Sequence, residues 1–179
     1  MEEQSGERGL EGREVEPHVI RLRGRWKFVP LARTVLLADG TTSVELGSLP
    51  PAGRVQFPAN WDEVLGSDFL GRVRFSRHFH RPTGLTSRHW VYLVLEKFHE
   101  FGEVKLNGRL LGSLEHTLAP HRFDITAQIT QRNELAIEIE LPRVTTDCTS
   151  QDLPAKRKTE TVWIGDVSLE ICEESPEVR

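Results

Sequence analysis

The sequence predicts an all-β fold, an antiparallel two-sheet sandwich. Three observations lead there. Apolar and polar residues alternate in segment after segment, the period of a strand with one buried face. Turn signals at Asp39-Gly40, Pro50-Pro51 and Asn107-Gly108 separate the segments at short intervals. No segment sustains a helical apolar repeat of any length. About eight to ten short strands spaced in this way argue for two packed sheets, each wetting one face and burying the other.

The elements follow in chain order. Residues 1–17 are rich in Glu, Gly and Arg with little to bury, and are expected to be a disordered tail. In "HVIRLRGRWKF", Ile20, Leu22, Trp26 and Phe28 share one parity, with Gly24 in step. "VELGSL" and "RVQF" read as further short strands. "NWDEVLGSDFLG" gives the one hint of a helix, interrupted by Gly66. "GRVRFSRHF" places Val73, Phe75, Arg77 and Phe79 on one face, and "WVYLVLEKF" does so for Val91, Leu93 and Leu95. In "EVKLNGRLLGSL", Val104 and Leu106 alternate up to the Asn107-Gly108 turn, the mark of a hairpin. "NELAIEIELP" points Leu135, Ile137, Ile139 and Leu141 inward, with Ala136, Glu138 and Glu140 outward. Residues 143–160 lack alternation and read as a surface loop. "VWIGDVSLEIC" closes the fold with Val167, Leu169 and Ile171 on one side. Residues 18–172 thus form a single β-sandwich domain, and 173–179 are a C-terminal tail.

Composition bounds the function classes. The 179 residues are 37% hydrophobic and 28% charged, with a formal charge of −4. No basic stripe suits nucleic acid, and no apolar run nears the ~18 residues of a membrane span. The N-terminus lacks the apolar core of a signal peptide, so a cytoplasmic protein is expected. The Met1 start favours an independent chain over a fragment of a longer enzyme. Cys148 and Cys172 match neither a disulfide framework nor a zinc pattern, and are expected to stay unbridged.

The ordered strand signals resemble the galactose-binding-like jelly-roll domain at the N-terminus of family 2 glycoside hydrolases, the β-galactosidase and β-glucuronidase group. "GRWKF" is similar to that family's Gly-x-Trp-x-Phe opening, and "VQFPANW" to its Val-x-x-Pro-x-x-Trp segment. "GRVRFSRHFHRP" is similar to its Tyr-x-Arg-x-Phe strand, with Phe75 in place of Tyr. "VYLVLEKFHEFGEVKLNGRLLGSLEHTLAPHRFDIT" tracks the family pattern without a gap, from the Asn107-Gly108 hairpin through Gly112 to Phe123-Asp124-Ile125-Thr126. "NELAIEIELP" and "VWIGDVSLE" are similar to its last strands. No single motif is specific, but their order is. Lys97, His99, His116-Thr117 and Gln131 depart from the family pattern in turns and loops, where ligand contacts would also be made.

The resemblance implies a sandwich without its engine. Retaining glycosidases hold two carboxylates ~5 Å apart. In the resembled enzymes these sit on a separate barrel, which needs roughly 250 residues of its own. This chain has no room for one, so it is not expected to be an enzyme. The expected function is a non-catalytic carbohydrate-binding or accessory module. The alternative is a protein-interaction or structural sandwich that has lost sugar binding and pairs with itself or with a separate catalytic chain. No cofactor is expected. A structural Ca²⁺, common in such sandwiches, would find its nearest carboxylates at Asp62, Glu63 and Asp68.

Sugar sites in sandwiches present an aromatic face to the C–H surface of the ring, with polar groups around it. Trp26 has buried parity and belongs to the core. Trp90, opposite in parity to Val91, is the best single stacking candidate, and Tyr92 shares its face. Trp61 and Trp163 are further candidates, although for Trp61 the resemblance favours packing. His116 and His121, on either side of Pro120, could add polar contacts. His78 and His80 lie two apart on one strand face and could touch one ion, but no third ligand is apparent. Arg77 shares parity with Phe75 and Phe79, so its guanidinium points inward and needs carbonyls or a charge partner; Asp124 is the expected partner.

Overall fold

The computed structural model describes residues 16–98, 100–144 and 162–173. Residues 1–15 and 174–179 of the expected tails, nearly all of the 143–160 loop, His99 and Cys148 lie outside these residues. The elements in order are β1 (His18–Arg21), β2 (Arg25–Leu36), β3 (Thr42–Glu45), β4 (Gly53–Gln56), β5 (Ala59–Asn60), α1 (Trp61–Leu65), β6 (Gly71–His80) and β7 (Trp90–Glu96). They continue with β8 (Phe101–Leu106), β9 (Arg109–Leu114), β10 (His121–Asp124), β11 (Arg132–Leu141), β12 (Arg143–Val144), β13 (Trp163–Ile164) and β14 (Asp166–Cys172). The chain is all-β apart from the one-turn α1. Among the described residues no helix is long and apolar enough to cross a membrane.

Two main sheets hold the core, and β5 and β13 form a separate two-stranded sheet. The smaller main sheet runs β1-β14-β7-β10; the larger runs β12-β2-β6-β11-β8-β9, with β3 and β4 on the far edge of β2. Pairing is antiparallel except between β12 and β2. The inward residues read from the sequence are inward, while Val94 on β7 and Ser168 on β14, of outward parity and paired with each other, are buried as well. Val73 and Phe75 on β6, Leu135 and Ile137 on β11, Leu93 and Leu95 on β7, and Leu169 on β14 are all buried in one cluster. Trp26 is buried as expected, its ring stacked on Phe57 with centroids 4.6 Å apart.

Three other local features departed from simple alternation. On β2 the register against β6 shifts between Pro30 and Ala32. Proline has no N–H to give the ladder, so a bulge is a favourable place for it. "VELGSL" is a strand only as far as Glu45, and Leu46 beyond it is 98% exposed. Among the described residues β3 pairs on one side only, with β2. The helix hint becomes the single turn α1, capped by Asn60. The Asn60 Oδ1 accepts from the N–H groups of Asp62 at 2.8 Å and Glu63 at 3.3 Å. Acidic side chains in this first turn suit the positive end of the helix.

Arg77 is inward-pointing, but its partner is not Asp124. Asp124 lies on β10 of the other sheet and accepts from the Thr126 N–H at 2.9 Å. The Arg77 guanidinium instead donates to the carbonyl of Leu22 at 2.7 Å and to that of Arg23. These carbonyls belong to the segment that crosses from β1 in one sheet to β2 in the other, so Arg77 clasps the crossover. The Leu22 carbonyl also accepts from the Trp26 indole N–H at 3.2 Å. Burial pushes the Arg77 pKa below the ordinary arginine value. Arg77→Met keeps the stem and removes both charge-assisted hydrogen bonds; it is expected to lower the unfolding free energy by about 1–3 kcal/mol. Urea titration measures this directly, and a midpoint equal to wild type would remove the clasp.

Candidate functional site

The outer face of the large sheet carries a ladder of charges. Register sets Arg72 opposite Glu140 and Arg74 opposite Glu138 between β6 and β11. Between β11 and β8, Glu138 faces Glu103 and Ala136 faces Lys105. Like charges directly opposite repel. Lys105 relieves both, its Nζ 2.9 Å from Glu103 and 3.5 Å from Glu138. Arg74 reaches Glu138 at 2.8 Å and Arg72 reaches Glu140 at 3.1 Å. Burial alone would raise the Glu138 carboxyl, but Arg74 and Lys105 outweigh it and hold it below its usual range. Glu103, with Glu138, raises the Lys105 ammonium in turn.

At one end of this ladder the surface opens into a groove of about 710 Å³. Phe101, on β8 opposite Glu140, stands at its mouth 56% exposed. Glu103 and Glu138 line it, as do Glu115 and His116, just past β9. Glu140 lines the groove through Oε2, which pairs with Arg72; its Oε1 is buried away from the opening, with no hydrogen-bond partner among the described residues. Gly102 explains how the strands come so close here. A Cβ at that position would stand 2.1 Å from the Glu138 carbonyl oxygen, so a side chain is sterically excluded beside Phe101. An exposed ring flanked by carboxylates and an imidazole can stack on an apolar ligand face and accept from hydroxyl or ammonium donors.

The residues expected from the sequence divide around this groove. His116 lines it. Trp90 and Tyr92 share a face, as anticipated, but on the outer side of the smaller sheet. There the Arg122 guanidinium lies 4.0 Å over the Tyr92 ring and reaches Glu170 at 3.2 Å, so one face of that ring is already occupied. Trp90 is half-buried. His121 is also half-buried, its Nε2 3.3 Å from the Phe98 carbonyl. Trp163 is 53% exposed and borders a crevice too narrow for water, beside Phe98 and Ile139. Trp61 is corrected outright. It is 0% exposed, donates its indole N–H to the Phe69 carbonyl at 2.9 Å and stacks on Phe69, leaving no face for a sugar.

Of the residues weighed for metals, His78 and His80 are exposed on the outer face of β6. Asp68 sits 3.6 Å from Arg33. No group of three His, Cys, Asp or Glu side chains among the described residues is arranged to hold an ion. Phe101 is the site residue that the sequence reading passed over. Its signal was its parity with Glu103 and Lys105, which marks a large ring turned outward. Phe101 and Trp163 are the exposed aromatic side chains among the described residues, histidine aside.

Solved structures share this fold. A Bifidobacterium dentium β-glucuronidase complexed with coumarin-3-O-glucuronide matches with a TM-score of 0.60 and 19% identity, over 95% of this chain and 31% of its own. A Faecalibacterium prausnitzii β-glucuronidase matches with a TM-score of 0.59 and 17% identity, over 97% of this chain and 33% of its own. A family 2 β-galacturonidase from Eisenbergiella tayi bound to galacturonate matches with a TM-score of 0.55 and 14% identity, over 86% and 24%. The chain thus spans a third or less of the length of these enzymes. No curated protein matches it. The family described as glycosyl hydrolase 2 galactose-binding domain-like matches residues 69–171, from just before β6 almost to the end of β14 and more than half of the sequence. The chain belongs to that family.

Proposed function

We propose that this protein is a non-catalytic carbohydrate-binding or accessory module, and that the groove at Phe101 is where it holds a sugar. The observation that carries this reading is the exposed Phe101 ring at the mouth of a groove lined by Glu103, Glu140 and His116. A sugar offers both an apolar C–H face and a rim of hydroxyl donors, and this lining answers both. The same site is poorly suited to hydrolysis. A glycosidase acid needs a raised pKa, and Glu138 is held low by its cations. The described residues also form no barrel, and the matched enzymes are several times longer.

A glycan array with wild type and two variants tests the reading. Phe101→Ala is expected to lose binding by about tenfold or more, since an aromatic stack contributes on the order of 1 kcal/mol beyond its buried area. Trp90→Ala should bind as wild type does. If Trp90→Ala loses binding and Phe101→Ala keeps it, the site belongs on the other sheet. A second reading, a protein-interaction sandwich, draws on β3, which among the described residues pairs on one side only, and where Val44 is 68% and Leu46 98% exposed. Dimerisation in solution with no glycan bound would favour it.

A further inference from the structure

We infer that Asn107 is a deamidation site held closed by the fold, with the Asn133 junction as its latch. Of the chain's three asparagines, Asn107 alone precedes glycine. Both turn residues are exposed, at positive φ of 52° and 79°, and a Cβ at Gly108 would meet nothing within 4 Å. With no side chain of its own, Gly108 leaves its backbone nitrogen unshielded. That nitrogen, after losing its proton to solvent, attacks the side-chain Cγ of Asn107. The N–Cγ bond forms, the Cγ–Nδ2 bond breaks, and Nδ2 leaves as ammonia. Water then opens the cyclic imide at either carbonyl, giving aspartate or isoaspartate. Water is the only co-reactant, and nothing is oxidised or reduced.

The folded turn opposes this attack. The Asn107 Oδ1 accepts from the Glu134 N–H at 2.9 Å, while its Nδ2 donates to the Asn133 Oδ1 at 3.1 Å and to the Gln128 carbonyl at 3.5 Å. Cyclisation requires the side chain to leave all three partners and fold back on its own backbone. Three hydrogen bonds of ordinary net strength cut the open population on the order of 100-fold. The products cannot reclose in the same way. An aspartate side chain sets a carboxylate oxygen against the Asn133 Oδ1 and the Gln128 carbonyl. Asn133 cannot turn its amide in answer, because its Oδ1 accepts from the Thr130 N–H at 2.8 Å and its Nδ2 donates to the Thr130 carbonyl at 2.7 Å. Isoaspartate adds a methylene to the backbone of a tight turn closed by the Leu106–Arg109 pair. Either product unlatches the hairpin that carries Phe101, so the modification is an ageing step that reaches the groove.

Peptide mapping by mass spectrometry tests this on the full chain kept in warm, mildly alkaline buffer. The readout is a gain of one mass unit on the peptide that holds Asn107; isomerisation at Asp39-Gly40 changes no mass and does not interfere. The folded wild type is expected to react on the order of 100-fold more slowly than the same chain unfolded in urea. Asn133→Ala, which removes one partner and loosens the rest, should react roughly tenfold or more faster than folded wild type. Asn133→Asp, with a smaller acceleration, takes its place if the alanine variant fails to fold. Leu169→Ala, which hollows the core from the other sheet, should keep the wild-type rate and so separates local from global opening. Folded wild type reacting as fast as the unfolded chain overturns the latch, as does a Leu169→Ala rate that matches Asn133→Ala. An unfolded chain with no reaction at Asn107 overturns the site itself. In the deamidated protein the Glu134 amide should exchange faster than in fresh protein; equal exchange would show that the products still close the turn.

Discussion

Trp61→Ala is expected to lower the unfolding free energy by about 3–5 kcal/mol, the range for a large aromatic removed from a core. Trp61 is fully buried, and three structural elements meet on it. Its backbone N–H donates to the Val162 carbonyl at 2.9 Å, tying α1 to the segment leading into β13. Its indole N–H satisfies the Phe69 carbonyl, and its ring stacks on the Phe69 ring with centroids 6.2 Å apart. Alanine would leave a cavity and an unpaired carbonyl together. Domains of this size are stable by only about 5–15 kcal/mol, so the variant should sit close to unfolding at 37 °C. Trp163→Ala, with its ring 53% exposed, should change stability by no more than ~0.5 kcal/mol. Urea titrations of both, with unchanged slopes, make the comparison. Equal midpoints for the two variants would show that Trp61 is not a keystone of the core. Any loss of glycan binding in Trp61→Ala should follow its loss of fold and vanish under conditions that restore it.

The contrast between these tryptophans shows what the sequence could and could not say. β6 and β11 were legible because each buries one face and wets the other, and alternation records that directly; β7 and β14 were legible through Val91, Leu93, Val167 and Leu169, although both also bury an outward-parity residue, Val94 and Ser168, where the two strands pair. The Asn107-Gly108 turn was legible because both residues take positive φ, at 52° and 79°, the geometry that this dipeptide favours. What failed depended on partners remote in the chain. Arg77 finds its carbonyls more than fifty residues earlier, at a crossover that no local pattern marks. Tyr92 has correct outward parity, yet Arg122 from the next strand lies on its ring. His116 was named from its loop. Phe101 was not, because its value arises only when β8 and β11 align to set it opposite Glu140. Parity gave its direction, while the groove comes from register and from the close strand approach at Gly102.

Asn133→Ala is expected to lower the unfolding free energy by about 2–4 kcal/mol, since several buried polar groups lose their partner at once. Asn133 is 1% exposed at the start of β11. Its Oδ1 accepts from the Thr130 N–H at 2.8 Å and from the Asn107 Nδ2 at 3.1 Å, and its Nδ2 donates to the Thr130 carbonyl at 2.7 Å. Asn107 completes the junction, its Oδ1 accepting from the Glu134 N–H at 2.9 Å and its own N–H donating to the Glu134 carbonyl at 2.8 Å. One side chain therefore ties the β8–β9 turn to the entry of β11. Asn133→Asp keeps the acceptor but sets a carboxylate oxygen against the Thr130 carbonyl, so repulsion replaces a hydrogen bond. Its loss should be measurable and smaller than that of alanine. Amide exchange gives the local readout: Glu134 and Asn107 should open faster in Asn133→Ala while Leu93 and Leu169 in the other sheet stay protected. The β8–β9 hairpin also carries Phe101 and other residues that line the groove, so the same variant should weaken glycan binding without touching the ligand. Unchanged exchange at Glu134 together with a wild-type midpoint would mean that the hairpin is held by its apolar face alone, with Val104, Leu106 and Leu135 sufficient to position the site.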